Sequence, residues 1–443
     1  MALIPLGFWA ASGGGGGGYW ISTLGGGTSE YGNSVATDSA GNSYVFGYTD
    51  STGAGSNDFL LAKHDPAGAV QWQRTFGGAG SDKGFSVAID SSDNVYAFGQ
   101  TLSAGAGVTD FLLAKYNSAG TIQWQRTLGG SGYDLGFSVA IDSSDNVYVL
   151  GQERSTSAAY AFLLAKYNSS GAIQWQRVLG GTGTDSGRSV AIDSSDNVYV
   201  LGYQDSAGAG LDDFLIAKYN SSGVIQWQRV FGGSGNEQGY SVAIDSSDNV
   251  YVLGYTSSTG AGSNDFLLAK YNSSGTIQWQ RVLGGASSEI GYSVAIDSSD
   301  NVYALGQTNS TGAGDYDFLL AKYDSSGAVQ WQRTLGGASE DIGNSIAIDS
   351  SDNLYVFGTG RTTNLGFRAF LLAKLPNDGS LTGTYVLDSL NIVYAASSLT
   401  GATSTLTAAT SSLTDASASL TSATSTLTDA SASLTSYLVE IGA

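Results

Sequence analysis

The chain of 443 residues has no cysteine, one histidine, one methionine and only three prolines, and its 18 Lys and Arg are outnumbered by 38 Asp and Glu. Without cysteine there is neither a disulfide nor a thiolate metal site, and the redox compartment is left open. A formal charge of −20 and a pI near 4.1 argue against binding a phosphate backbone, which requires clustered basic residues, and against adhesion to anionic lipid. Thirteen of the 18 basic residues fall in two recurring slots, the Lys of LLAK and the Arg of WQR. No apolar run is long enough to span a bilayer, and Ser389 to Thr414 is too rich in Ser and Thr to read as a membrane helix. No membrane or nucleic-acid partner is therefore expected.

What the chain does have is repetition. Variants of IQWQRTLGG recur about 52 residues apart, with tryptophans at Trp20, Trp72, Trp124, Trp175, Trp227, Trp279 and Trp331. A second marker, VAIDSSDNVY, keeps the same register, its first aspartate standing at Asp38, Asp90, Asp142, Asp193, Asp245, Asp297 and Asp349. Seven copies of each imply seven copies of one unit. Within the copy from Phe137 to Gly180, SVAID, VYVLG, FLLAKY and IQWQRVL read as four strands, with SSDN and NSSG as tight turns between them. The middle strands are apolar on both faces, so each sheet must be covered on both sides by neighbours, as in propeller blades. The seventh copy has no WQR strand of its own, and the spare Trp20–Leu24 at the other end is expected to complete that blade and close the ring.

The segments DSSDNVYVLGY, DFLLAKYNSSG, IQWQR and LGGSG resemble the SBBP-type β-propeller repeat over roughly residues 19 to 386. The fold this implies is all-β: a seven-bladed propeller of four-stranded antiparallel blades. By layout alone, the two ends resemble bacteriophage tail-fibre and appendage proteins. Residues 1–18 read as an apolar peptide with a glycine linker and a poor secretory signal. Here Ile4, Leu6, Phe8 and Trp9 would anchor the chain in a partner particle. Residues 387–443 carry leucine every seventh position: Leu399, Leu406, Leu413, Leu420, Leu427 and Leu434. That a/d-like period predicts a helical coiled-coil segment driving self-association, a trimer being one form it could take. Against it stand the outer Ser and Thr, which are mediocre helix formers.

Catalytic chemistry is sparse. His64 takes a slot held by Tyr in most copies, no metal-ligand spacing or nucleophile elbow appears, and the repeated DSSDN aspartates fit turn chemistry. No cofactor or metal and no enzymatic activity is expected. The copies diverge in the loops after the second and fourth strands, all on one face, and Tyr133, Arg154, Tyr160, Tyr316, Arg361, Phe367 and Arg368 are the candidate contact residues there. The reading is a phage virion protein, a tail fibre or appendage, that docks to other virion proteins through its N-terminus. Its propeller would meet a host-surface component such as a glycan. A capsid decoration protein and a bacterial surface lectin share much of this pattern, and a propeller hydrolase would need acid and base groups converging on the channel.

Overall fold

The computed structural model describes residues 18–441, apart from 155–158, 206–207, 209, 362–366, 388–389, 405, 411–413, 418–420, 425–427 and 432–434. Its seven sheets each contain a four-stranded antiparallel meander. In the third blade, Leu135–Ile141, Val147–Glu153, Ala161–Tyr167 and Ile173–Gly180 pair in order from the axis outward. The first of these strands is innermost in every blade, and the seven innermost strands contact one another around a central channel. The second and third strands are buried along almost their whole length, as their two-sided apolar pattern predicts. One apolar cluster fills each blade junction; Tyr148, Leu150, Phe162 and Leu164 of the third blade meet Val198, Val200, Leu215 and Ala217 of the fourth.

The repeated polar residues hold this frame. Asp142 caps its own turn, accepting from the amides of Ser144 and Asn146, the Asn146 amide group and the Tyr148 hydroxyl, with Lys166 Nζ at 3.2 Å. Asp145, at φ 59°, accepts from the Ser91 amide and hydroxyl of the preceding blade; aspartate tolerates this left-handed conformation better than most residues. Turn chemistry thus accounts for both aspartates of the motif. Each motif Trp and Arg grips the next blade. Trp72 Nε1 donates to Ser118 O and Arg74 Nε to Gly120 O, and the indole lies where a Gly120 side chain would stand. Trp20 does the same to Pro66 O, and its strand, Tyr19–Gly25, pairs antiparallel with Arg368–Leu375, closing the ring as expected.

The C-terminal segment is the correction. No helix occurs among the described residues. After a hairpin of Gly383–Leu387 and Leu390–Ala396 on the sixth blade, four-residue strands add to the outer edge of the fifth blade (Thr400–Thr403), fourth (Thr407–Thr410), third (Thr414–Ser417), second (Thr421–Thr424) and first (Thr428–Ser431). Thr435–Ile441 ends the circuit on the N-terminal strand. The tail is a belt that runs around the ring against the order of the blades and supplies a fifth strand to each. Its seven-residue period is a perimeter spacing: strands begin at Thr400, Thr407, Thr414, Thr421, Thr428 and Thr435, one to each blade edge, and seven extended residues reach about 23 Å. Thr suits strands better than helices.

An odd period in a continuous strand would turn successive leucines to opposite faces, but the crossings interrupt the strand. Leu399 is buried in one blade junction, and Leu406 packs at the next. Gln332 and Gln280 donate to their carbonyls. These two leucines therefore face their own propeller and form no intermolecular helical seam. Leu413, Leu420, Leu427 and Leu434 lie outside the described residues, as do the anchor residues Ile4, Leu6, Phe8 and Trp9.

Candidate functional site at the channel mouth and loop face

The DSSDN and NSSG turns share one end of the propeller, so the loops after the second and fourth strands share the other. All five basic residues outside the repeat slots, Lys83, Arg154, Arg188, Arg361 and Arg368, lie at or near that second end.

At the junction of the sixth and seventh blades, Tyr316 and Arg361 line an open cavity of about 520 Å³ with Asn309, Asp315 and Glu340. Arg368 forms an ion pair with Glu340 and lies 5.3 Å from the Tyr31 ring, which stacks on Tyr48 at 4.7 Å. Lys83 stands over the same Tyr48 at 5.4 Å. Burial pushes the Tyr48 hydroxyl up to about 12, so it remains a donor at neutral pH. Three sequence candidates, Tyr316, Arg361 and Arg368, are thus brought together through Glu340. Arg154 stacks over Tyr160 at 5.4 Å on the third blade as a separate pair. Phe367 is 42% exposed near Arg368 in sequence, and Tyr133, 44% exposed, bridges Thr109; among the described residues Tyr133 joins neither group.

The sequence candidates omit the channel itself. Each innermost strand bulges between a Gly and a Ser, and the residue between them faces the axis. Across the seven blades this slot holds Asn33, Phe85, Phe137, Arg188, Tyr240, Tyr292 and Asn344, which together line a cavity of about 160 Å³. A β-bulge re-aims a side chain in this way next to functional sites. Phe85 meets Phe137 at 5.5 Å and Tyr240 meets Tyr292 at 5.4 Å. Between these pairs the Arg188 guanidinium lies 4.2 Å from the Phe137 ring and 5.9 Å from Tyr240, and its Nη2 donates to the Tyr203 hydroxyl at 2.8 Å. Asn33 and Asn344 donate their side-chain nitrogens to the backbone carbonyls of Gly84 and Gly32. The signal is present in the sequence: this slot varies inside an otherwise nearly constant strand, and variation in a strand marks a site as variation in a loop does.

His64 has no catalytic setting. It is 1% exposed, stacks near Trp20, and burial lowers its pKa to about 4. Among the described residues no group of three His, Cys, Asp or Glu could hold a metal.

Comparison with known proteins finds β-propeller repeats in part of the chain. Residues 20–53, 174–206, 226–260, 278–312 and 330–366 match the SBBP β-propeller repeat, and 246–277 match a β-propeller domain of unknown function. An uncharacterized WD repeat-containing protein of Acanthamoeba polyphaga mimivirus is 23% identical over 66% of this chain and 31% of its own length. The regulatory protein FlaEY of Caulobacter vibrioides is 30% identical over 23% of this chain and 12% of its own. The chain therefore spans less than a third of either relative. Among solved structures, a gluconolactonase from Xanthomonas campestris aligns over 60% of this chain and 82% of its own, at 12% identity and a TM-score of 0.36.

Proposed function

We propose that this chain, a propeller built of SBBP repeats, is a non-catalytic recognition module that presents its loop face to a surface glycan. The observation that carries the reading is segregation of charge: in a protein of net charge −20, all the basic residues not consumed by the repeat lie at or near one end. There they stand beside Tyr31, Tyr48, Tyr160 and Tyr316. Aromatic rings with Arg are the usual anchors of a binding surface, and a rigid scaffold bearing variable loops is a common way to build one. The opposite end repeats one turn chemistry seven times and offers no comparable individuality. Its setting, in this reading, is a virus particle, held through the N-terminal peptide; the layout of that peptide and the viral source of one relative support it.

The test is a glycan array probed with the labelled full chain, followed by titration of the hits. Saturable binding that weakens by about tenfold in Tyr316→Ala or Arg361→Ala is expected, the loss typical of a binding anchor. Binding by both variants equal to that of the parent chain, or none on any glycan, would overturn the proposal. Sustained cleavage of a bound polysaccharide would overturn its non-catalytic part.

A further inference from the structure

We infer that Arg188 anchors an anion site in the channel, and that its ligand is a sugar ring bearing a carboxylate, a uronic acid residue. The inference rests on the loop-face reading and names the chemistry of the ligand it would meet.

The first argument is a missing counter-ion. Six of the seven repeat lysines are bridged to the turn aspartates, and Arg368 is bridged to Glu340. Among the described residues no carboxylate pairs with Arg188, and its Nε is buried with no hydrogen-bond partner. Arg188 is half-buried, reachable from the channel, with its Nε shut off from water, and a partly desolvated charge of this kind is ordinarily paired. The acidic residues nearest along the chain are occupied elsewhere: Asp185 accepts from the Gly181 amide at 2.6 Å, and Asp193 pairs with Lys218 at 3.2 Å. Aromatic faces hold the guanidinium on two sides, which leaves its fork to meet a planar oxyanion. The net negative charge of the chain opposes such a ligand only weakly, because screening at physiological salt acts beyond about 8 Å.

The second argument is shape. The cavity of about 160 Å³ is open rather than enclosed, so a sugar ring can enter part-way and keep its outer hydroxyls in water. Phe85 and Tyr292, the outer members of the two aromatic pairs, line the same cavity and supply apolar surface for the C–H side of a sugar, and the amide oxygens of Asn33 and Asn344, whose nitrogens are engaged, are acceptors for its hydroxyls. A single cation in one of seven equivalent slots also fixes the orientation of the ring, which a uniform ring of slots could not do.

Arg188→Asn is the informative variant, because the first and seventh blades carry Asn in this slot and fold with it. Calorimetric titration of the full chain with glucuronate, glucose and acetate is the experiment. Glucuronate is expected to bind at least about tenfold more tightly than either of the others, and Arg188→Asn to lose about tenfold or more, as for a hydrogen-bonded charge pair. Arg188→Lys, with the charge but not the fork, is expected to fall between. Glucose equal to glucuronate, or an Arg188→Asn protein that binds glucuronate normally, would overturn the site; acetate equal to glucuronate would overturn the sugar assignment. Polysaccharide binding indifferent to Arg188→Asn would overturn this inference alone, whereas glucuronate uptake without polysaccharide binding would overturn only the loop-face reading.

Discussion

Leu399→Ala separates the belt from any other fate of the C-terminal segment. Leu399 is 9% exposed and packs into the junction that also holds Leu283, Leu319 and Tyr323. Its neighbours Thr400–Thr403 make four pairs with Arg281–Gly284. Four added strand residues contribute hydrogen bonds of about 0.5–1.5 kcal/mol each, against a backbone ordering cost of about 1–2 kcal/mol per residue. Those two terms nearly cancel, so the buried leucine decides whether the strand docks. Truncation to Ala removes three carbons, about 2 kcal/mol after allowance for partial exposure, which is roughly a thirtyfold rise in the local opening equilibrium. Native-state hydrogen exchange by mass spectrometry reads it directly. Peptides covering 400–403 and 281–284 should exchange about thirtyfold faster, while 250–256 of the same blade stays protected, because the belt opens without unfolding the sheet beneath it. Unchanged exchange at 400–403 together with a change in solution mass would refute the belt and restore an intermolecular role for the leucines.

Two further outcomes follow from the same frame. Gly120 sits at φ 76°, and an added Cβ would lie 2.8 Å from the Trp72 ring; Gly120→Ala should lower stability in urea by about 2 kcal/mol or more, whereas Gly401→Ala, whose nearest neighbour is at an ordinary 3.5 Å, should stay within about 0.5 kcal/mol; equal effects would refute the argument. Burial raises Asp341 to about 7 and Asp317 to about 6, the first helped by the charge of the second. The folded state therefore holds protons that the unfolded chain releases near pH 4, so this pair's contribution to stability is present below that pH and is lost as pH rises to about 7. Asp341→Asn should melt higher than the parent at pH 8 and lose that advantage at pH 5; parallel melting curves at both pH values would refute the assignment.

The propeller could be read from the sequence because every blade repeats the same solution. VYVLG is apolar on both faces only if both faces are covered, and the displaced Trp20 strand has a place only in a closed ring. The tail was misread for a physical reason. A seven-residue leucine period has two geometric origins: 3.5 residues per turn in a supercoiled helix, or the step from one blade edge to the next. Leucine spacing alone does not separate them. Composition does, since Thr flanks each leucine where a helix would place Ala, Glu or Lys, and the spacing starts where the last blade ends. Arg188 is hidden in the sequence for a related reason. Strands ordinarily serve as scaffold and loops as sites, but an innermost propeller strand is both, since a bulge turns one of its residues to the axis.

That double role explains where individuality can survive in so regular a molecule. A residue within a blade is fixed by contacts with two neighbours, as Trp72 is by Ser118 and Gly120, so a change there must be matched in the adjoining copy. A residue on the axis meets its counterparts beside open space, as Phe85 meets Phe137, and a loop tip meets solvent, so a change at either needs no close match. Asn, Phe, Arg and Tyr can then occupy equivalent channel slots while SVAID beside them hardly changes. Symmetry gives the frame its stability, and its breaking is confined to positions that a ligand can reach. If recognition is the function, substitutions that exchange residues among the seven channel slots should alter binding and leave the melting temperature nearly unchanged. Replacing a motif tryptophan or its partner glycine, as in Trp72→Ala or Gly120→Ala, should do the reverse. A set of channel exchanges that lowered stability as much as Gly120→Ala would show that those slots are structural and that the channel is not the site.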